Sequence, residues 1–254
     1  MTSFDLKKRV ALITGGNGGI GLGMAKGLAA AGATVVVAGR NKTKAQSALS
    51  ELRALGGEAE FFELDVLKEA SCKQAIKQTV DRFGRLDILV NNAGTSVRKP
   101  PQDLTADDWH LVMNTNLTSA FFCSQAAYPH MVRDGGGKII NIGSMMSVFA
   151  SSYATPYAAS KGGIVQMARS MAVAWAKDNI QVNIILPGWI DTDLTRKARE
   201  QVEGLHDRVL ARTPAQRWGN PEDFAGIAVF LAAPASDFIT GAAIAVDGGY
   251  SVQA

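Results

Sequence analysis

Short apolar runs alternate with longer amphipathic stretches from end to end, which predicts an α/β chain: a doubly wound parallel sheet with helices on both faces. Two further observations support this. With 254 residues, 47% of them hydrophobic, the chain is large enough for one well-buried core, and no linker, repeat or low-complexity tract divides it. A glycine-rich turn also follows the first apolar run, where open α/β sheets collect ligands at the carboxyl ends of their strands.

The strands are expected at Val10 to Thr14, Thr34 to Ala38, Ala59 to Glu63, Ile88 to Val90, Lys138 to Ile142, Gln181 to Leu186 and Ala243 to Val246. Most are short and β-branched, as strands buried on both faces tend to be. Between them, Ile20 to Ala31, Lys42 to Leu55, Lys68 to Phe83, Ala106 to Val132, Thr155 to Lys177 and Pro221 to Leu231 read as helices. The connections are brief apart from the charged stretch Thr192 to Arg212, which reads as an inserted helical flap over the substrate. The chain is therefore read as one domain over 1–254.

Composition excludes several function classes. Basic residues exceed acidic ones by a net charge of only +3, scattered along the chain, so no nucleic-acid footprint is present. Cys72 and Cys123 are isolated thiols without a Cys-x-x-Cys spacing and read as reduced core residues, which fits a cytoplasmic location. Met1 to Arg9 carries charges with no apolar stretch of signal-peptide type behind them, and no run of about eighteen apolar residues suggests a membrane span. His110, His130 and His206 are too dispersed to suggest a metal.

The chemistry is carried by Tyr157 and Lys161, at i and i+4 on a helix, where a phenol and an ammonium share one face. A cation about 5 Å from a phenol, at an effective dielectric of about 20, is worth roughly 3 kcal/mol, or about two pKa units. Lys161 is therefore expected to lower the Tyr157 pKa toward neutrality and make it a general acid and base. Ser144 directly follows the run Ile139-Ile140-Asn141-Ile142-Gly143 and is the preferred serine; Ser147, Ser151 and Ser152 are alternatives. Tyr153, one turn before Tyr157 but with no lysine four residues on, is assigned to the pocket wall or to packing.

Between the first strand and its helix, Thr14-Gly15-Gly16-Asn17-Gly18-Gly19-Ile20-Gly21 offers free helix-terminal amides to a pyrophosphate. An ordinary tight turn is the plainer reading. Asp65-Val66, Asn91-Asn92-Ala93-Gly94, Ser144 and Pro187-Gly188 follow the third to sixth strands and would converge on the same cleft. Taken alone, Asp65 reads equally as a helix N-cap.

These residues, in this order, resemble the classical short-chain dehydrogenases/reductases. Thr14-Gly-x-x-x-Gly-x-Gly21, Asn91-Asn-Ala-Gly94, Tyr157-x-x-x-Lys161, Pro187-Gly188 with Thr192, and Asp247-Gly248-Gly249 carry the likeness, over about 6–250. The resemblance implies a single Rossmann-type domain with a seven-stranded sheet, assembled as a homo-oligomer, tetramer or dimer. It implies Asn116, Ser144, Tyr157 and Lys161 as the catalytic residues, with Ser144 orienting the substrate oxygen and Lys161 also binding the nicotinamide ribose. Asn116, preferred over Asn114, would support a water that links Lys161 to solvent. For the cofactor it implies Gly15, Asn17, Gly19, Ile20 and Gly21 at the turn, Asp65 and Val66 at the adenine, Asn92, Ala93 and Gly94 along the dinucleotide, and Pro187, Gly188, Ile190 and Thr192 toward the carboxamide.

The second strand ends in Gly39-Arg40-Asn41, with no carboxylate to hold a ribose 2′-hydroxyl. Arg40 suits a 2′-phosphate, so NADP(H) is favoured. NAD(H) stays open because the glycine turn holds no second basic residue and Arg40 also reads as a solvated loop cation. Ser96 to Arg98, Met145 to Tyr153, Trp189 and the flap would choose the substrate, with Met145, Met146, Phe149 and Trp189 as an adaptable apolar wall, or half of them as core. The expected activity interconverts a carbonyl and a secondary alcohol on a small molecule. An NAD(H)-dependent sugar or polyol dehydrogenase and a 3-oxoacyl carrier-protein reductase are the alternatives. Arg133 and Lys138 would supply part of the carrier's docking surface, although Ala172-Val173-Ala174-Trp175-Ala176 carries no arginine.

Overall fold

A computed structural model describes residues 3–253, so Met1, Thr2 and Ala254 of the expected unit lie outside the described residues. Seven strands form one sheet in the order β3-β2-β1-β4-β5-β6-β7, parallel at every pairing. They are β1 Val10–Thr14, β2 Thr34–Gly39, β3 Ala59–Glu63, β4 Ile88–Asn91, β5 Gly137–Ile142, β6 Ile180–Pro187 and β7 Ala243–Val246. The order reverses between β1 and β4, and the crevice at such a switch point is where open α/β sheets bind ligands.

Period-two alternation sends each strand's residues into two separate cores. Ala11, Ile13, Val35, Val37, Ile88, Val90, Ile140 and Ile142 pack with α1 (Gly19–Ala30), α2 (Lys42–Ala54) and α9 (Ala225–Ala232). Leu12, Val36, Ala38, Leu89, Ile139, Val182 and Ile184 pack with α3 (Glu69–Phe83), α5 (Ser119–Arg133) and α6 (Thr155–Trp175). Covering both faces leaves no solvated side, which is why the strands read as apolar runs rather than as polar alternations. Cys72 and Cys123 are buried, unpaired thiols in the second core.

Two expected helices differ in detail. The stretch Ala106 to Val132 is not one helix: α4 (Ala106–Met113) and α5 are joined by a π-turn over Asn114–Thr118. The apolar period runs through this turn almost undisturbed, so periodicity alone cannot mark it. Pro221 opens a 3-10 turn, Pro221–Phe224, before α9. The charged stretch after β6 folds as α7 (Asp193–Gln201) and α8 (Leu205–Arg212), pinned by a small cluster of Ala198, Leu205, Val209 and Trp218. Among the described residues, no helix is long and apolar enough to cross a membrane.

Candidate active site

The glycine turn takes its shape from the neighbouring strand. Asn92, just past β4, donates from its side-chain amide to the Thr14 and Gly15 carbonyls at 3.0 and 3.1 Å. Thr14 Oγ1 in return accepts from the Asn92 and Ala93 amides, both at 3.0 Å. Gly15 and Gly19 adopt φ of +65° and +52°, which favour glycine. The N-terminus of α1 has no side-chain cap and no acidic residue in its first turn, so its amides are free for an anion. Gly15, Asn17, Gly19, Ile20, Asn92, Ala93 and Gly94 line one side of a cleft of about 330 Å³, and Pro187, Gly188, Ile190 and Thr192 line the other. Free amides, positive-φ glycines and an open trough fit a dinucleotide.

Ser144, Tyr157 and Lys161 close the inner end of this cleft. Ser144 opens a short turn after β5, its Oγ accepting from the Met146 amide at 3.1 Å. Ser147, the alternative, donates instead to the Lys161 carbonyl at 2.7 Å, which ties the turn to α6. The Lys161 ammonium lies 5.7 Å from the centre of the Tyr157 ring and donates to the Ile142 carbonyl at 2.6 Å. Burial brings the Lys161 pKa down to about 8. The expected lowering of the Tyr157 pKa is not found: burial raises it, against the opposing pulls of the Ser144 hydroxyl and the Arg98 charge. Tyr157 is only partly buried and borders the cleft, but the atoms packed around its phenol from other elements disfavour the charged form more than the nearby charges favour it, and helical spacing carries no information about that.

Asn116 falls in the π-turn and is buried. Its Oδ1 accepts from the Thr95 amide at 2.8 Å, and its Nδ2 donates to the Thr95 carbonyl and to Ser160 Oγ, both at 3.0 Å. The side chain thus clamps the loop after β4 to α6. A Cβ on Gly94 would lie 3.6 Å from Asn116 Oδ1 and 3.7 Å from Lys161 Nζ, so both groups border the same glycine. Asn114 instead accepts from the Thr118 hydroxyl, in an exposed pair.

A second cavity, of about 840 Å³, adjoins this centre and is walled by Met146, Ser151, Tyr153, Trp189, Arg208 and Arg212, among others. Tyr153 is therefore pocket wall. Arg98, on the loop after β4, is partly buried and, among the described residues, donates only to neutral acceptors, Gln201 Oε1 at 3.2 Å and the Leu194 carbonyl at 3.3 Å. Its pKa is lowered by burial, with Tyr157 and Tyr153 near enough for their charges to oppose the shift.

A family model described as Enoyl-(Acyl carrier protein) reductase matches residues 15–251. The 2-dehydro-3-deoxy-D-gluconate 5-dehydrogenase of Formosa agariphila is 42% identical over 97% of this chain and 94% of its own length. The chain belongs to the short-chain dehydrogenases/reductases. An Escherichia coli enzyme named 2-dehydro-3-deoxy-D-gluconate 5-dehydrogenase is 43% identical over 98% of each chain. The crystal structure of a gluconate 5-dehydrogenase from Burkholderia cenocepacia J2315, in complex with NADP and tartrate, matches with a TM-score of 0.94 at 42% identity, over 99% of this chain and 98% of the other. This short-chain dehydrogenase/reductase is an oxidoreductase acting on CH–OH and C=O groups.

Several residues of the expected site are not among those lining the cleft of this short-chain dehydrogenase/reductase. Arg40, Asp65 and Val66 are three of them, although the residues flanking Arg40 adjoin the glycine turn: Asn17 Nδ2 donates to the Asn41 carbonyl at 3.3 Å, and a Cβ on Gly39 would lie 3.6 Å from Asn17 Nδ2. Asp65 accepts from the Leu67 amide at 3.2 Å in the turn before α3, whose N-cap is Lys68. Gly21 is a packing glycine: a Cβ there would meet Asn92 Nδ2 at 2.4 Å and the Gly15 carbonyl at 2.6 Å. Of the expected apolar wall, Met145 belongs to the core, Phe149 lies beneath the Arg212 guanidinium, and Met146 and Trp189 face the second cavity.

The basic docking surface is not beside the pocket. Lys138 is buried at the start of β5, the opposite end from Ser144, and pairs with Asp237 at 2.7 Å. Arg133 pairs with Asp134. Sequence reasoning missed Lys44, which lines the cleft together with Asp193, Leu194 and Thr195 of the expected flap. For Lys44 a signal existed, since it follows Arg40 by one helical turn.

Proposed function

We propose that the chain is an NADP(H)-dependent dehydrogenase that interconverts a secondary alcohol and a ketone on a sugar acid of the gluconate type. Arg98 carries this reading. It is a partly buried guanidinium within electrostatic reach of Tyr157, and its only side-chain partners among the described residues are neutral acceptors. A desolvated, unneutralised arginine is matched by a substrate carboxylate, which its planar fork can bind in two-pronged fashion. The gluconate-type names of the relatives support the same class. NADP(H) is supported by the carboxylate-free end of β2 at Gly39-Arg40-Asn41 and by the NADP held in the Burkholderia cenocepacia relative.

The bound nicotinamide supplies or accepts the hydride. In reduction, the Tyr157 hydroxyl protonates the carbonyl oxygen as it gains charge, and the burial that raises its pKa keeps that proton in place at neutral pH. Ser144 holds the same oxygen through its hydroxyl. Lys161 contributes positive charge beside the phenol, and Asn116 Oδ1 with Lys161 Nζ at Gly94 would hold a water for proton resupply. Alcohol oxidation needs the phenolate and should gain more from alkaline pH than ketone reduction does.

The test is a steady-state panel of 5-keto-D-gluconate, neutral ketones and an acetoacetyl thioester with NADPH and NADH. NADPH with the sugar-acid ketone should be preferred. Arg98→Met should raise its KM about ten- to a hundredfold and leave neutral ketones within about twofold. Equal losses on neutral substrates would refute the carboxylate contact, and an NADH preference would refute the cofactor assignment. Tyr157→Phe should lower kcat by about 10²–10⁴ with cofactor affinity unchanged; undiminished turnover eliminates the acid/base role.

A further inference from the structure

We propose that Lys44 is the second cation of the cofactor's phosphate site and reads the 2′-phosphate, with Asp193 as its exchangeable counter-ion. This rests on the NADP(H) reading above and adds a specificity-determining residue to it.

The glycine turn carries no basic side chain of its own, yet an ammonium is delivered to it from α2. Asn41 caps that helix, its Oδ1 accepting from the Lys44 amide at 2.8 Å, which fixes Lys44 in the first turn. The Lys44 side chain then crosses back over the glycine turn. A Cβ built on Gly18 would lie 2.7 Å from Lys44 Cε and 2.8 Å from its Nζ. Lys44 therefore fills the space that a side chain at position 18 would enter, above the uncapped N-terminus of α1.

The surroundings suit a phosphate monoester. Asn17, Gly18 and Lys44 border the cleft together, and Asn17 Nδ2 donates to the Asn41 carbonyl at 3.3 Å, drawing the glycine turn against the end of β2. That end, Gly39-Arg40-Asn41, holds the first cation and no carboxylate. Lys42, by contrast, is paired at 2.8 Å with Glu63 at the end of β3.

Among the described residues the ionic partner of Lys44 is Asp193, at 2.7 Å, with the two side chains 45% and 67% exposed. A pair so accessible to water contributes little. A phosphate monoester carrying close to two negative charges competes well for the same ammonium. Asp193 opens α7, so the exchange also frees the flap's first residue from α2.

The experiment is calorimetric titration of the full chain with NADP⁺ and NAD⁺, comparing wild type, Lys44→Met, Lys44→Gln, Asp193→Asn, the Lys44→Met/Asp193→Asn pair and Arg40→Ala. Each variant is first checked for a wild-type melting temperature. Both Lys44 variants should weaken NADP⁺ about ten- to a hundredfold and leave NAD⁺ within about twofold. Asp193→Asn should tighten NADP⁺ by about threefold, a gain that disappears in the double variant. NADP⁺ affinity unmoved by Lys44→Met, or equal losses for both nucleotides, overturns the proposal; the second result assigns the ammonium to the shared pyrophosphate. A wild type without NADP⁺ preference defeats the cofactor reading itself. If the preference exists and vanishes in Arg40→Ala but survives in Lys44→Met, the cofactor reading stands and this inference alone falls.

Discussion

Lys161 holds its charge almost without water: it is 4% exposed, and its ammonium donates to one carbonyl, that of Ile142. Its pKa of about 8, against an ordinary 10.5, has a consequence for stability. The unfolded chain keeps the proton up to about 10.5, whereas the folded chain releases it near 8. Between those values the unfolded state binds more protons, so stability rises with pH. The raised pKa of Tyr157 acts in the opposite sense, but only above its ordinary value of 10. Urea unfolding should therefore show stability rising from pH 8 toward 10 by about 2 kcal/mol. Lys161→Met should be more stable than wild type at pH 7 and should flatten the rise. A flat wild-type profile, or a less stable Met variant, contradicts the burial account. The pairing of Tyr157 with Lys161 was legible in the sequence as a spacing. The sign of the tyrosine's shift was not, because it depends on burial by residues distant in the chain.

At the scale of elements, α1 shows how a glycine pattern encodes packing as well as ligand binding. A Cβ on Gly23 would lie 2.0 Å from the Pro221 carbonyl, and one on Gly27 would lie 2.7 Å from that of Ala225. The helix thus packs against the backbone of the turn before α9, at a separation side chains would forbid. In an open helix, Gly→Ala gains about 1 kcal/mol. Gly23→Ala should instead lose about 1–3 kcal/mol, since the turn must move. Gly226→Ala, with nothing within 4 Å of its added carbon, is the control and should gain stability. Chemical denaturation midpoints decide between them, and a Gly23→Ala protein as stable as wild type would mean the contact yields freely. The strands and most helices were legible from periodicity alone. The π-turn at Asn114–Thr118 was not, because one extra residue in a turn barely shifts a hydrophobic period, although it is what places Asn116.

Over the whole molecule, large apolar side chains remain exposed on three helices: Leu111 on α4 (41%), Phe121 on α5 (40%) and Val173 on α6 (84%). Surface of this kind marks an interaction site when it is contiguous, and the family resemblance implies a homo-oligomer. Light scattering should give the mass of two or four chains, and Phe121→Lys with Val173→Lys should reduce it toward that of one chain. A wild-type monomer at micromolar concentration contradicts the expectation.

The order of elements, the parallel sheet, the glycine turn and the Ser144, Tyr157 and Lys161 set were determined by the sequence itself. Periodicity, strand length and the positive-φ tolerance of glycine are local properties, written within a few residues of where they act. Only the tertiary structure decided that Lys44 lies over Gly18 and pairs with Asp193, that Arg98 comes within electrostatic reach of Tyr157 with no carboxylate partner among the described residues, and that Lys138 is buried far from the site. The reason is that charge, desolvation and steric exclusion act through space between segments far apart in the chain, at distances that residue spacing does not carry.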